Sequence, residues 1–322
     1  MITGTVSGMV EVKPRIPHGS AQAMSAHPWR KAAISWTLVL AMFGFLYHVA
    51  PAELKPVVAW GTGGGLAFGV LFIVLVTRSN LREFRKLGAE HDQAVAAMQL
   101  GELARARDVF WRLASSTNLA RLDAIARHNL AWTTMRLGDL KHASELWADN
   151  ERRHGTALVS VGLAATSSVD LALCHALMGD ITAAESWLAI TDQRARDPLN
   201  RPNVPELQII VRATIDCRAQ RCADAARRLD EEWARCEASL VGSTLRVVRV
   251  IRGFALAADD PRNAGLAATV LANMRPVYAD EFDFLGVAWP EMASFLVTHG
   301  LATRPSLEVA SDPASAVADR AT

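Results

Sequence analysis

The hydrophobic pattern of the chain changes once, near residue 79. Before that point, residues 32–52 and 57–77 contain no Asp, Glu, Lys or Arg. Each stretch is 21 residues long, which corresponds to about 30 Å of α-helix and to the thickness of the hydrocarbon core of a bilayer. Only "ELKP" separates the two stretches. The pattern predicts two membrane-spanning helices joined by a tight turn, a transmembrane hairpin embedded in the lipid bilayer through residues 32–77.

Basic residues flank this hairpin before its first span and after its second span. Positive charge near a membrane span favours the cytoplasmic side, so both ends are predicted to be cytoplasmic and the turn to face outwards. We therefore expect an integral protein of the plasma (inner) membrane. The residues concerned are Lys13, Arg15, Arg30 and Lys31 before the first span, Arg78, Arg82, Arg85 and Lys86 after the second, and Lys55 alone in the turn.

Two alternatives to the hairpin are a secretory signal and a buried soluble hairpin. Ala50-Pro51-Ala52 resembles a cleavage site, but the first apolar run is longer than a typical signal core, and the second run would remain. Two adjacent helices without charges also have no polar face to present to water. The membrane hairpin is the preferred interpretation.

The second span carries Gly61, Gly65 and Gly69 at intervals of four residues. At this spacing the glycines share one helix face, where missing side chains allow another helix to approach closely. The same stretch does not match the GxGxxG fingerprint of a dinucleotide site. The partner of this seam is either the first span of the same chain or a second copy, so a homo-oligomer is possible.

Beyond residue 79, charged residues are frequent and apolar residues recur at helical spacing. Four stretches align with periods of 37, 41 and 41 residues. A glycine ends one helix in a left-handed turn, a small residue allows two helices to cross closely, and a large apolar residue lies one turn further along the same face. The aligned positions are Gly101, Gly138, Gly179 and Gln220, then Ala106, Ala143, Ala184 and Ala225, then Phe110, Trp147, Leu188 and Leu229.

This pattern resembles the tetratricopeptide repeat (TPR) family. In that family a Leu-Gly/Ala pair on the first helix, a turn glycine, and then an alanine and an aromatic residue on the second helix define the unit. Leu130-Ala131 and Leu171-Ala172 supply the first pair here, and the resemblance covers roughly residues 90–240. The period exceeds the usual value of about 34 residues, and Gln220 replaces one turn glycine. The resemblance implies an α-solenoid whose groove binds a peptide or helix of a protein partner.

The predicted fold is therefore all-α, a two-helix transmembrane hairpin followed by a TPR-like solenoid of about four to five helix pairs. The expected organisation is a disordered cytoplasmic tail at residues 1–30, the hairpin at 31–78, the cytoplasmic repeats at 79–302 and a disordered tail at 303–322. Within the repeat domain, residues 281–300 are expected to form one terminal capping helix.

Composition and motifs give no indication of catalysis. The net charge of +1 gives no reason to expect nucleic-acid binding, and the four cysteines lack CxxC spacing. His91 and His128 could serve as metal ligands, but both are expected where helices begin, and structural roles fit them better. We expect no catalytic, metal or cofactor site and assign no enzyme activity.

The residues that we predict to contact a partner lie on the repeat helices. Arg246, Arg249 and Arg252, spaced at three, would form a basic stripe for an acidic peptide, and Asn129 occupies a first-helix position that helps to hold a partner's carboxylate in some TPR proteins. The predicted function is a membrane-anchored scaffold or adaptor. Two alternatives stay open: an accessory subunit of a membrane-associated biogenesis or secretion enzyme complex, and a structural membrane oligomer.

Overall fold

The computed structural model describes residues 85–116, 119–197 and 203–302, together with a few isolated positions between 47 and 82. The chain divides into two units, residues 1–80 and 81–322. Apart from those isolated positions, the two predicted spans lie outside the described residues, as do Gly61, Gly65, Gly69 and both predicted tails. In the part of the chain that is described, no helix combines the length and the apolar character needed to cross a bilayer.

The prediction of an all-α fold is confirmed for the described residues, which contain helices, turns and no β-strand. Two short 3₁₀ turns, Pro261–Asn263 and Asp283–Leu285, interrupt the later part of the chain. The helices are α1 (85–99), α2 (Leu103–Ser116), α3 (Ala120–Arg136), α4 (Leu140–Ser160), α5 (Ala164–Met178), α6 (Ile181–Arg194), α7 (Val204–Arg218), α8 (Cys222–Glu231), α9 (Trp233–Ser239), α10 (Gly242–Asp259), α11 (Ala264–Val270) and α12 (Pro290–Thr298).

Most of these helices pack as consecutive pairs. α3 packs on α4, α5 on α6, α7 on α8, and α10 on α11, while Ala94 and Ala97 of α1 share a buried cluster with Phe110 of α2. We call α1, α3, α5, α7 and α10 the first helices of their pairs. Neighbouring pairs are joined by contacts of α4 with α5, α5 with α7, and α8 with α10. This serial stacking is compatible with an α-solenoid.

The turns within four of these pairs have the same backbone conformation. Gly101, Gly138, Gly179 and Gln220 all have positive φ, at 83°, 90°, 84° and 59°. A left-handed residue after a helix lets the next N–H groups satisfy the last helical carbonyls. At Gly138, for example, the glycine N–H bonds to Met135 and the Asp139 N–H to Thr134. Gln220 is the one member of the four with a side chain, and it holds the conformation that favours glycine.

The recurrent small and large residues lie in the core. Ala106, Ala143, Ala184 and Ala225 have no exposed surface, and neither do Phe110, Trp147 and Leu229, while Leu188 is 3% exposed. The absence of side-chain bulk at the alanines allows the paired helices to approach, and the large residues then fill the space between neighbouring pairs.

The prediction of one capping helix over residues 281–300 is wrong in its first half. Residues 271–289 run as turns and irregular chain with the 3₁₀ turn Asp283–Leu285, and only α12 is α-helical. Two features explain the late start. Asp280 has a φ of 64°, and a residue before a proline, here Trp289, is disfavoured in helical conformation.

Replacing Gln220 by glycine should stabilise the protein. A left-handed conformation costs a residue with a Cβ about 1–2 kcal/mol, and part of this gain is offset by the greater freedom of glycine in the unfolded chain. We expect Gln220→Gly to raise the free energy of unfolding by about 0.5–1 kcal/mol, measured by thermal denaturation followed by circular dichroism. Gly138→Ala is the matched control and should lower the unfolding temperature; a lower unfolding temperature for Gln220→Gly would contradict the prediction.

Candidate functional site

Four first helices contribute side chains to one face of the repeat domain, which we call the first-helix face. α3, α5, α7 and α10 together line a cavity there, and Phe284 of the 3₁₀ turn closes part of it. The volume of the cavity is about 50 Å³. Trp132, Leu173 and Leu207 at this cavity are half-buried, so the face keeps apolar surface that the fold does not fully cover.

Residues 271–289, which we call the covering segment, lie across the first-helix face. The ring of Tyr278 occupies the space beside Gly101 where a larger residue would place its Cβ. Phe282, Phe284 and Leu285 are completely or almost completely buried. The chain therefore supplies its own apolar cover for much of this face.

Arg136, the last residue of α3, connects the face to the covering segment. Its Nη2 donates to the Tyr278 hydroxyl at 2.7 Å and to the Glu281 carbonyl oxygen at 2.9 Å. The guanidinium carbon lies 4.6 Å from the ring centroid of Phe284 and 5.0 Å from that of Trp132. Arg136 is 3% exposed, and burial lowers the pKa of its guanidinium. Its Nε is buried and has no hydrogen-bond acceptor.

A second arginine holds the covering segment from α10. Arg246 donates from Nε and Nη2 to the two carboxylate oxygens of Glu281, at 2.7 and 2.9 Å. The Val277 N–H adds a bond of 2.7 Å to the same carboxylate, which is 1% exposed. A two-point arginine–carboxylate pair is among the strong interactions in proteins because both partners are charged and planar.

The other members of the predicted basic stripe contact acidic residues of their own chain. Arg249 bonds to Glu237 at 3.1 Å and Arg252 to Asp230 at 2.7 Å, and both lie over the ring of Trp233. Each arginine of the predicted stripe thus forms an ion pair with a different part of the fold, as Arg246, Arg249 and Arg252 show. They do not form one row of cations that lack partners.

Asn129 is not one of the residues that line the cavity. Its side-chain amide is 2.9 Å from Nε2 of His91, so it connects α3 to α1. His91 packs against Phe110, and burial lowers the pKa of its imidazole. Asn129 therefore contacts α1, whereas Arg246 contacts Glu281 of the covering segment.

A buried Ser167–His128–Asp170 arrangement sits between α3 and α5. Nδ1 of His128 is 2.9 Å from Ser167 Oγ and accepts from the Trp147 indole at 3.3 Å, while Nε2 is 3.6 Å from Asp170. The histidine contacts a serine on one side and an aspartate on the other, as in the catalytic triad of a hydrolase. Ser167, however, has no exposed surface to meet a substrate. We read the group as a polar network of the core. In the described part of the chain, no three His, Cys, Asp or Glu side chains are placed to hold a metal ion.

Sequence reasoning missed Arg136, although the repeat register held a signal for it. Arg136 and Arg218 both stand two residues before a turn residue, at Gly138 and Gln220. The guanidinium of Arg218 lies over the ring of Trp289, 5.2 Å from its centroid, as that of Arg136 lies over Phe284. An arginine at this register therefore meets an aromatic ring from the C-terminal region in two repeats.

Comparison with known proteins leaves the family open. No family model, no curated protein and no solved structure matches this chain. The resemblance to the TPR family therefore stays a prediction from the sequence.

The covering segment also contains a perturbed carboxyl group. Burial, followed by the nearby Asp280, raises the pKa of Asp283 to about 6, and its buried Oδ1 has no hydrogen-bond partner. Because the folded pKa lies above that of the unfolded chain, the folded state binds the proton more tightly. The corresponding stability is present at low pH and is lost as pH rises through about 6.

Asp283→Asn should remove this pH dependence, because the amide stays neutral over the whole range. We expect the unfolding temperature of the wild type to fall between pH 4 and pH 7 by more than that of the variant, and the variant to be the more stable protein at pH 7. Differential scanning calorimetry at several pH values measures this. Asp224→Asn, at an exposed ion pair with Arg227, is the control and should keep the wild-type profile. Parallel profiles for wild type and Asp283→Asn would contradict the assignment.

Proposed function

We propose that this protein is a membrane-anchored helical-repeat adaptor of TPR-like type. It binds a protein partner on the first-helix face of residues 85–302, and residues 32–77 hold it to the bilayer with the repeats on the cytoplasmic side. The proposal contains no catalytic step, and the partner supplies the biological process.

The observation that carries this proposal is the incompletely filled first-helix face. A face that served only to complete the core would have its apolar side chains covered, as Phe282, Phe284 and Leu285 of the covering segment are. Trp132, Leu173 and Leu207 instead stay half-buried beside an open cavity. Stacked helix pairs present such a continuous face to peptides or helices in many repeat proteins.

Site-specific photo-crosslinking tests where the partner binds. A benzophenone amino acid at Leu207, beside the cavity, should produce a discrete crosslinked species in cells that express the full chain. The same amino acid at Glu145, whose side chain on the second helix α4 is 61% exposed, should not. Equal crosslinking at both positions, or a crosslinked species made only of a second copy of this chain, would contradict the adaptor proposal and favour a structural oligomer.

Membrane attachment is tested by deleting the hairpin. We expect the full chain to stay in the membrane pellet after carbonate extraction, because two apolar spans of 21 residues match the bilayer core. A chain that begins at residue 79 should appear in the supernatant with a helical circular dichroism spectrum. If the shortened chain also stays in the pellet, or if the full chain is extracted, the anchor does not lie in residues 32–77.

A further inference from the structure

The four turns with a positive φ that join paired helices are closed by the same two backbone hydrogen bonds. The turn residue donates its N–H to the carbonyl three residues earlier, and the next residue donates to the carbonyl five residues before itself. At the fourth turn these bonds run from Gln220 to Cys217 at 3.0 Å and from Arg221 to Asp216 at 2.8 Å. Because the closure is shared, residues three before and two after a turn residue occupy equivalent places at all four turns.

Apolar residues occupy these two places at the first three turns, and two cysteines occupy them at the fourth. The pairs are Met98 with Leu103, Met135 with Leu140, Ala176 with Ile181, and Cys217 with Cys222. Both Met135 and Leu140 lie in the largest buried cluster, and so do both cysteines. Packing at the turn therefore requires apolar side chains in these places, but it does not require a thiol in both of them.

The thiols of the fourth turn contact each other, and the contact makes them unequal. Cys217 donates a side-chain hydrogen bond to the sulfur of Cys222, which raises the pKa of Cys217 and lowers that of Cys222. Cys222 is also the first residue of α8, where the positive end of the helix dipole favours a thiolate. Burial and the nearby Asp259 oppose the ionisation of Cys222 more weakly. Cys222 is therefore the sulfur that ionises first.

Exposure distinguishes the same cysteine from the other three. Cys222 keeps 9% of its surface, whereas Cys217 keeps 1% and Cys174 and Cys236 keep none. Burial raises the pKa of Cys174 and of Cys236, and the Cys174 thiol donates to the Leu140 carbonyl at 3.0 Å. A partly exposed thiol of lowered pKa beside a second thiol is the arrangement that oxidants modify most readily.

We propose that Cys217 and Cys222 form a reversible redox site, which hydrogen peroxide or another small hydroperoxide oxidises to a disulfide. First the Cys222 thiolate attacks a peroxide oxygen, the O–O bond breaks, and the released hydroxide takes up a proton to become water, which leaves Cys222 as a sulfenic acid. The sulfur of Cys217 then attacks the sulfur of Cys222, the S–O bond breaks, and the hydroxyl leaves as water with the proton of Cys217. The two thiols thus supply the two electrons that reduce the peroxide, and a small-molecule thiol restores them by exchange.

This site is independent of the proposed binding of a partner, because neither cysteine is among the residues that line the cavity. The disulfide would replace the contact between two thiols by a covalent bond across the turn from α7 to α8. The bridged residues are five apart, so the bond restricts the unfolded chain little. The decisive measurement is therefore chemical.

Peptide mapping of the full chain in phospholipid nanodiscs tests the inference without any variant. The reduced protein is treated with hydrogen peroxide, then with catalase, unfolded in excess N-ethylmaleimide and digested with trypsin. Trypsin cleaves after Arg218 and Arg221, so the disulfide should join peptides 213–218 and 222–227, with a mass about 2 Da below their sum. Dithiothreitol should separate the two peptides. At the same dose of peroxide, Cys174 and Cys236 should be recovered as maleimide adducts.

Serine variants test the order of the two steps. In Cys217→Ser no second thiol can attack, so Cys222 should persist as a sulfenic acid that dimedone traps. In Cys222→Ser the remaining Cys217 should be recovered as a maleimide adduct, because it is buried and its pKa is raised. Cys174→Ser is the matched control and should form the same joined peptides as the wild type. Circular dichroism checks that each variant is folded.

Three results would overturn the inference. The first is recovery of Cys217 and Cys222 as maleimide adducts after peroxide treatment, and the second is a set of disulfides spread over all four cysteines. The third is a wild type in which Cys222 becomes a sulfinic acid while Cys217 stays a thiol, because Cys217 would then not complete the disulfide. Stronger dimedone labelling of Cys222→Ser than of Cys217→Ser would overturn the assignment of Cys222 as the first sulfur to react.

Discussion

Each helix pair of this protein has apolar surface that the pair alone cannot bury, and this constraint shapes the whole repeat domain. Neighbouring pairs bury part of this surface by packing side by side. In α5, for example, 12 of 15 residues are buried, including Asp170 and Ser167. The first-helix face has no neighbouring pair in front of it, and the covering segment fills part of this space with Phe282, Phe284 and Leu285. The cavity is what remains between Phe284 of the segment and the first helices.

The same constraint explains why arginine is the residue that joins the segment to the helices. A side chain at the end of α3 has to span from a helix to an irregular chain, satisfy backbone and hydroxyl oxygens, and pack against aromatic rings. Arg136 does all three with one planar group, through Tyr278, the Glu281 carbonyl, Trp132 and Phe284. Lysine has no planar surface to stack on two rings. The result is a buried cation whose hydrogen-bond partners are neutral oxygens, with the carboxylate of Glu281 as a nearby opposite charge.

The parts of the fold that the sequence predicts are those decided over short distances along the chain. A turn residue, an alanine five residues later and a large residue four beyond specify a turn and one helix crossing, and these are set within about ten residues. The contact of Arg136 with Tyr278 joins residues 142 apart, and no period relates the two. The stripe of Arg246, Arg249 and Arg252 illustrates the same limit, because spacing places them on one side of α10, whereas their acidic partners come from three other elements. The residues that define the candidate site depend on such distant contacts.

The burial of the covering segment determines how a partner can use this face. Full burial of one large apolar side chain contributes about 1.5–3 kcal/mol, so removing three such residues would cost roughly 5–9 kcal/mol. A peptide that binds with micromolar affinity gains about 8 kcal/mol in total. The cost of displacing the segment would therefore offset almost all of the binding free energy of such a peptide. Binding beside the segment, on the half-buried Trp132, Leu173 and Leu207, requires no such displacement.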